Sequence, residues 1–246
     1  MKFTLKTWLC YLFILVFITG IGALLVLSQR ESHELACKNI EVSIPGELHF
    51  VSTEDILNSL SSSYGVLIGE RLCDINLGRI ENILNIKPSI RQSEAWVTKD
   101  GVLHVAVYQR EPVVKIVDKK GRGYYADAEG IVFPLSPVYD ASVPQILSST
   151  AKGMSIQWLT EAISLVNYIS ESDKWNSRII SYSIAENNDF ILHSDKEQII
   201  FGDFNDRDRK FSYLDEYFTK IQPREDGYKI VNLKYKGQII CRKKDM

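Results

Sequence analysis

Four histidines, four cysteines and two acidic clusters are the residues of this 246-residue chain best suited to chemistry, and their spacing argues against most of it. His33, His49, His104 and His193 fall in separate segments, and none has a partner nearby in sequence. His104 alternates away from Leu103, Val105 and Val107, which places it on a solvated or partner-facing side of a strand. Cys10, Cys37, Cys73 and Cys241 lie far apart, without the paired Cys-x-x-Cys spacing of a zinc site. No metal site and no cofactor are expected. Gly-x-Ser-x-Gly and His-Glu-x-x-His are absent, as are the Ser-Asp-Asn and Lys-Thr-Gly companions that a Ser-x-x-Lys nucleophile needs, so three common hydrolase routes lose their support and no catalytic residue is assigned.

The acidic clusters invite a calcium test, because carboxylates at alternating positions can wrap a hard cation. In the run from Asp203 to Asp208, Arg207 and a missing Gly break the EF-hand pattern. Asp127 and Glu129 lie in Ala126-Asp127-Ala128-Glu129-Gly130 between two apolar segments, which reads as a hairpin turn with Gly130 at positive φ. Gly121-Arg122-Gly123 is another turn; it precedes a strand and therefore offers no helix N-terminus to phosphate. A paired-carboxylate glycosidase needs only two acids that meet in space, and nothing in the sequence points to such a pair.

The elements that must position these residues belong to a folded body. The apolar set is 45% and the charged set 24%, near the globular average. Formal charge is −2 overall, and −4 (27 basic against 31 acidic residues) once Lys2 and Lys6 are set aside, so nucleic-acid binding lacks its electrostatic footprint. From Thr7 to Gln29 run 23 residues without a charge, enough for a helix to cross a ~30 Å hydrocarbon core. Lys2 and Lys6 before the span, against mixed charges at Arg30, Glu31 and Glu34 after it, place the N-terminus in the cytoplasm and the body outside. The run ends in Leu25-Val26-Leu27-Ser28-Gln29 rather than in small residues, which favours an anchor over a cleaved signal. Outside the cytoplasm, Cys37, Cys73 and Cys241 are an odd count, read here as buried apolar residues in preference to one disulfide, such as Cys37 with Cys73, and a spare thiol.

Beyond a polar tether, Ile40 to Ile44 alternate as a strand, and Ser52 opens a helix to about Leu60 by capping Asp55 while Val51 staples onto Ile56. Asn76 caps a second helix with Leu77, Ile80, Ile83 and Leu84 on one face, stopped by Pro88. Strands 90–98 and 102–108 follow, joined by Lys99-Asp100-Gly101. After Pro112, short strands are expected at 113–117, 124–126, 131–133, 179–184, 190–193, 199–201, 228–235 and 238–242, most simply as an antiparallel meander. Two helices interrupt it, one with Ile156, Leu159, Ile163 and Val166 behind Ser155, the other with Phe211, Leu214, Phe218 and Ile221 before Pro223. The fold class is α+β.

This order resembles the FtsQ/DivIB family of bacterial cell-division proteins over nearly the whole chain. The resemblance rests on Ile40-Glu41-Val42, Val51 to Ile56, Asp74-Ile75-Asn76-Leu77, Pro88-Ser89-Ile90 and Val105-Ala106-Val107 leading to Arg110-Glu111-Pro112-Val113. Tyr125 to Phe133, Val143-Pro144, Ile200-Phe201-Gly202 and Val231-Asn232-Leu233-Lys234-Tyr235 continue it, although the commoner Asp-Leu-Arg-Tyr is here Asn-Leu-Lys-Tyr. It implies a cytoplasmic tail (1–6), a transmembrane helix (7–29), a tether (30–37), a β-α-α-β-β POTRA domain (38–111) and a mostly antiparallel C-terminal β domain with two helices (112–246). It also implies a non-enzymatic scaffold of the inner membrane at the septum, binding FtsB-like and FtsL-like partners near the C-terminal strands. By resemblance Tyr235 is the expected contact, with Leu233, Lys234, Gly237 and Ile239 beside it. Alternation puts Val231, Leu233 and Tyr235 on one face, and an open edge there would accept a partner strand. Lys234, Lys236, Arg242, Lys243 and Lys244 make the edge basic, which steers an acidic segment to it and also blunts aggregation. Tyr235 covering its own sheet, an extracytoplasmic envelope hydrolase with a perturbed acid or His in a deep pocket, and a POTRA-type transport adaptor are the alternatives.

Overall fold

The computed structural model describes residues 14–21, 35–148, 154–224 and 227–243. Residues 14–21 are helical (α1) and exposed. The rest of the expected span 7–29, and the tail 1–6, lie outside the described residues. No helix among the described residues is long and apolar enough to cross a membrane. The chain divides into two compact units, one ending at Gln109 and the other beginning at Arg110.

The first unit runs β1 (Asn39–Ser43), α2 (Thr53–Ser63), α3 (Leu77–Asn85), β2 (Ile90–Val97) and β3 (Val102–Gln109), with sheet order β1-β3-β2. β3 is central, parallel to β1 and antiparallel to β2. Ser52 accepts from Asp55 N while the Asp55 carboxylate accepts from Ser52 N, a complete capping box. Asn76 Oδ1 likewise accepts from Arg79 N at 2.9 Å. Helix α2 continues past Leu60 to Ser63, and Ser59, Ser61 and Ser62 turn their hydroxyls back onto carbonyls of the preceding turn. Ile56, Leu60, Ile80 and Leu84 from the helices meet Leu103, Val105 and Val107 from β3, all essentially fully buried. Cys37 joins this core, whereas Cys73 is exposed. Residues 35–37, expected in the tether, are bonded to the unit: Leu72 N donates to Leu35 O and Cys37 N to Glu70 O, both at 2.8 Å.

The second unit is a nine-stranded sheet in the order β12-β11-β10-β9-β8-β7-β4-β5-β6. Its strands are β4 (Val114–Asp118), β5 (Gly123–Ala126), β6 (Val132–Pro134), β7 (Gln145–Ser148), β8 (Ser181–Ile184), β9 (Phe190–His193), β10 (Gln198–Gly202), β11 (Tyr228–Asn232) and β12 (Ile240–Lys243). The helices α4 (Ile156–Ser170) and α6 (Arg207–Glu216), with the short α5 (Asp173–Asn176) and a π-turn (Tyr217–Ile221), accompany it. α4 and α6 cover one sheet face, where Leu159, Ile163, Val166, Phe211 and Leu214 pack on Ile116, Ile146, Leu192, Ile199 and Val231.

The sheet is mixed rather than a simple meander. β4 pairs parallel with β7, β7 with β8, and β10 with β11, because α4 and α6 serve as crossovers within the last two of these connections. The remaining five pairings are antiparallel. β7 and α5 add two elements to those expected from the sequence, and β11 stops at Asn232 rather than at Tyr235. The expected hairpin turn is present: Gly130 has φ +76°, and Asp127 Oδ1 accepts the amides of Glu129 (3.0 Å) and Ile131 (2.8 Å).

Candidate functional site

β12 ends the nine-stranded sheet, pairing only with β11 in its ladder, and its exposed Ile240, Arg242 and Lys243 form one rim of the second unit. How the turn before it is built decides which residues a partner can reach. Leu233 N donates to Ile200 O at 3.0 Å and its side chain is fully buried, so Leu233 belongs to the core. Val231 is buried with it. The expected alternation therefore fails after Leu233, and Tyr235 does not share their face: it lies in the turn with its side chain about half exposed, at 49%.

Lys234 bends away from the strand because Asn232 Oδ1 accepts its amide at 3.0 Å. Its Nζ reaches Asp189 Oδ2 in the β8–β9 turn at 2.7 Å, and this bond raises the lysine pKa. Gly202, at φ +80°, makes room: a Cβ there would stand 2.6 Å from Lys234 Cγ. Gly237, at φ +79°, donates its amide to Tyr213 Oη at 2.9 Å, and Arg209 Nη1 reaches the Tyr235 carbonyl at 3.4 Å. Arg209 also pairs with Asp206, whose carboxyl is held below the usual range by Arg209 and Lys236. Ile239 is half-buried against the core. Of the five residues singled out from sequence, Tyr235 thus faces solvent, Lys234 and Gly237 are bonded within the turn, Ile239 is partly covered and Leu233 is buried.

Sequence reasoning missed the supports of this turn, namely Asp189, Gly202, Arg209 and Tyr213. Asp189 lies 45 residues from Lys234, and only the fold brings them together.

Residues kept open for chemistry resolve into structural roles. Asp203 holds the buried Lys210 ammonium at 2.6 Å, and Asp206 is paired with Arg209, so these carboxylates already serve cations of the chain. Asp127 Oδ2 takes Arg110 Nη1 at 2.5 Å. Among the described residues no group of three His, Cys, Asp or Glu is placed to hold a metal. His104 stacks on Trp96 with ring centroids 5.2 Å apart and lies 3.4 Å from Glu41. His193 Nε2 meets Ser183 Oγ at 2.6 Å, and burial pushes its pKa down. This pair lies on the sheet face opposite α4, away from a cavity of about 420 Å³ whose lining includes Ser164, Glu161, Arg207 and Asp208 but no imidazole or thiol. Nucleophile, base and binding space are therefore not assembled there.

A family model described as FtsQ/DivIB, C-terminal related matches residues 111–242, and a POTRA-like domain model matches residues 35–108. The chain belongs to the FtsQ/DivIB family. That family comprises membrane-anchored, non-enzymatic scaffolds of cell division, and a role in division follows for this member. No curated protein matches the chain. The three-stranded first unit is the POTRA-like domain, and the nine-stranded unit carries the C-terminal FtsQ/DivIB match.

Proposed function

We propose that this FtsQ/DivIB-family chain is a single-pass inner-membrane scaffold of the division septum, with a cytoplasmic N-terminus and its two folded units outside. In this reading β12 accepts a strand from an FtsB-like or FtsL-like partner, and Tyr235 in the adjoining turn packs on that segment. The observation that carries the proposal is the position of β12 at the end of the sheet, with Ile240 42% exposed and Tyr235 49% exposed beside it. An edge strand offers a row of amides and carbonyls, and each bond formed with an added strand contributes about 0.5–1.5 kcal/mol net. Lys236, Arg242 and Lys243 are exposed along the same rim, so an acidic segment is favoured in encounter.

The test is titration of the full-length chain in nanodiscs with the outer segments of the FtsB-like and FtsL-like proteins of the same cell. Wild type is expected to bind. Tyr235→Ala and Ile240→Asp should each weaken binding by about 2 kcal/mol, the scale of a central interface contact, with unchanged circular dichroism. A folded wild-type chain that binds neither segment would remove the partner assignment.

A further inference from the structure

We propose that the loop 65–69 of the POTRA-like unit seats its apolar tip in the surface of the lipid bilayer, beside the chain's own anchor; this rests on the reading of residues 7–29 as a membrane span. Val66 is 83% exposed and Ile68 51% exposed, while Leu67 between them is buried. The loop is thus pinned by one side chain and presents two aliphatic ones outward, and it closes in a turn in which Glu70 N donates to Leu67 O at 3.2 Å. Gly65 at φ +117° and Gly69 at φ +89° form its two corners.

The occupant follows from where the loop is fastened. Gly69 N donates to Cys37 O, Cys37 N to Glu70 O and Leu72 N to Leu35 O, all at 2.8 Å, and Ala36 bridges Arg71. The root of the loop is therefore clamped to the first described residues of the outer body. Only residues 30–34 separate Leu35 from Gln29 at the end of the span. Six steps of chain reach at most about 20 Å when fully extended, and roughly 13 Å as a flexible coil. Tethering of this kind holds the tip at an effective concentration on the order of millimolar or above, so a weak insertion suffices.

Charge makes the contact apolar rather than electrostatic. Arg71 beside the loop is neutralised by Asp74 at 2.6 Å, and the Arg79 guanidinium lies over the Tyr64 ring at 4.9 Å. A zwitterionic surface is therefore sufficient, and added salt should leave the contact in place.

The experiment uses the full chain in phosphatidylcholine vesicles, with a parallel set containing phosphatidylglycerol. Cys10→Ser, Cys73→Ser and Cys241→Ser leave only the buried Cys37, and a nitroxide is attached through Val66→Cys, Ile68→Cys or, as a control on the exposed side of α2, Asn58→Cys. The expected result is a several-fold higher ratio of oxygen to nickel-chelate collisions at 66 and 68 than at 58, in both vesicle sets and at high salt. Equal ratios at all three sites, in protein that still floats with the vesicles, would overturn this inference and leave the anchor standing. Low collision rates with both reagents would mean protein covers the tip and would overturn it too. Failure of the chain to float with vesicles would overturn the anchor and the inference together.

Discussion

His193 Nε2 lies 2.6 Å from Ser183 Oγ, and partial burial lowers the ring's pKa below the ordinary value of about 6.5. Protonation therefore favours the unfolded chain. The contribution to stability is fully present above pH ~6.5 and is lost as pH falls through that value toward the lower folded pKa. Urea midpoints should drop between pH 7.5 and 5.5, with a slope of at most about 1.4 kcal/mol per pH unit from this group, and His193→Gln should flatten that part of the profile. An identical pH dependence in the variant would show that His193 is not the titrating group. At the same scale, the turn roles of Ser52, Asn76 and Gly130 were legible because each is satisfied within four residues of itself. The role of Lys234 was not, because its carboxylate partner arrives from another hairpin.

The π-turn after α6 is held by a residue from another element. In an α-helix, residues five apart point about 140° away from each other, whereas a π-turn brings them onto one side. Gln222 N donates to Tyr217 O at 2.9 Å, and the two side chains then converge on one oxygen: Tyr217 Oη and Gln222 Nε2 lie 3.1 and 2.8 Å from Glu197 Oε1. Ser194 Oγ donates to the other oxygen of this buried carboxylate. Glu197→Leu removes the shared acceptor, so a loss of about 1–3 kcal/mol in unfolding free energy is expected, together with faster exchange of the Gln222 amide. Unchanged exchange would show that the turn is set by Pro223 and the packing of Phe218 instead. The helical period of this segment was readable from Phe211 and Leu214, but its widening depends on a residue of the β9–β10 turn. Parallel pairing was hidden for a related reason. β7 is only four residues long, and it pairs with β4, from which β5 and β6 separate it, and with β8, which follows only after α4 and α5, so alternation alone favoured a meander.

At the scale of the whole molecule the two hydrophobic cores share no residue: one is drawn from residues 35–107, the other from residues 113–241. The change in texture at Pro112 made this partition visible in the sequence, since helices capped by Ser52 and Asn76 give way there to short strands. Separate cores imply separate cooperative units. Leu60 is 1% exposed in the first core, and Leu60→Ala should cost about 2–5 kcal/mol there, a large fraction of a domain's total stability. Native-state hydrogen exchange should then accelerate in α2, α3, β2 and β3 while β8, β9 and β10 keep their protection. Acceleration in both units would instead mean that they unfold as one body. Because β12 and the Tyr235 turn rest entirely on the second core, binding of a partner segment should survive Leu60→Ala, which separates loss of scaffold stability from loss of the docking edge.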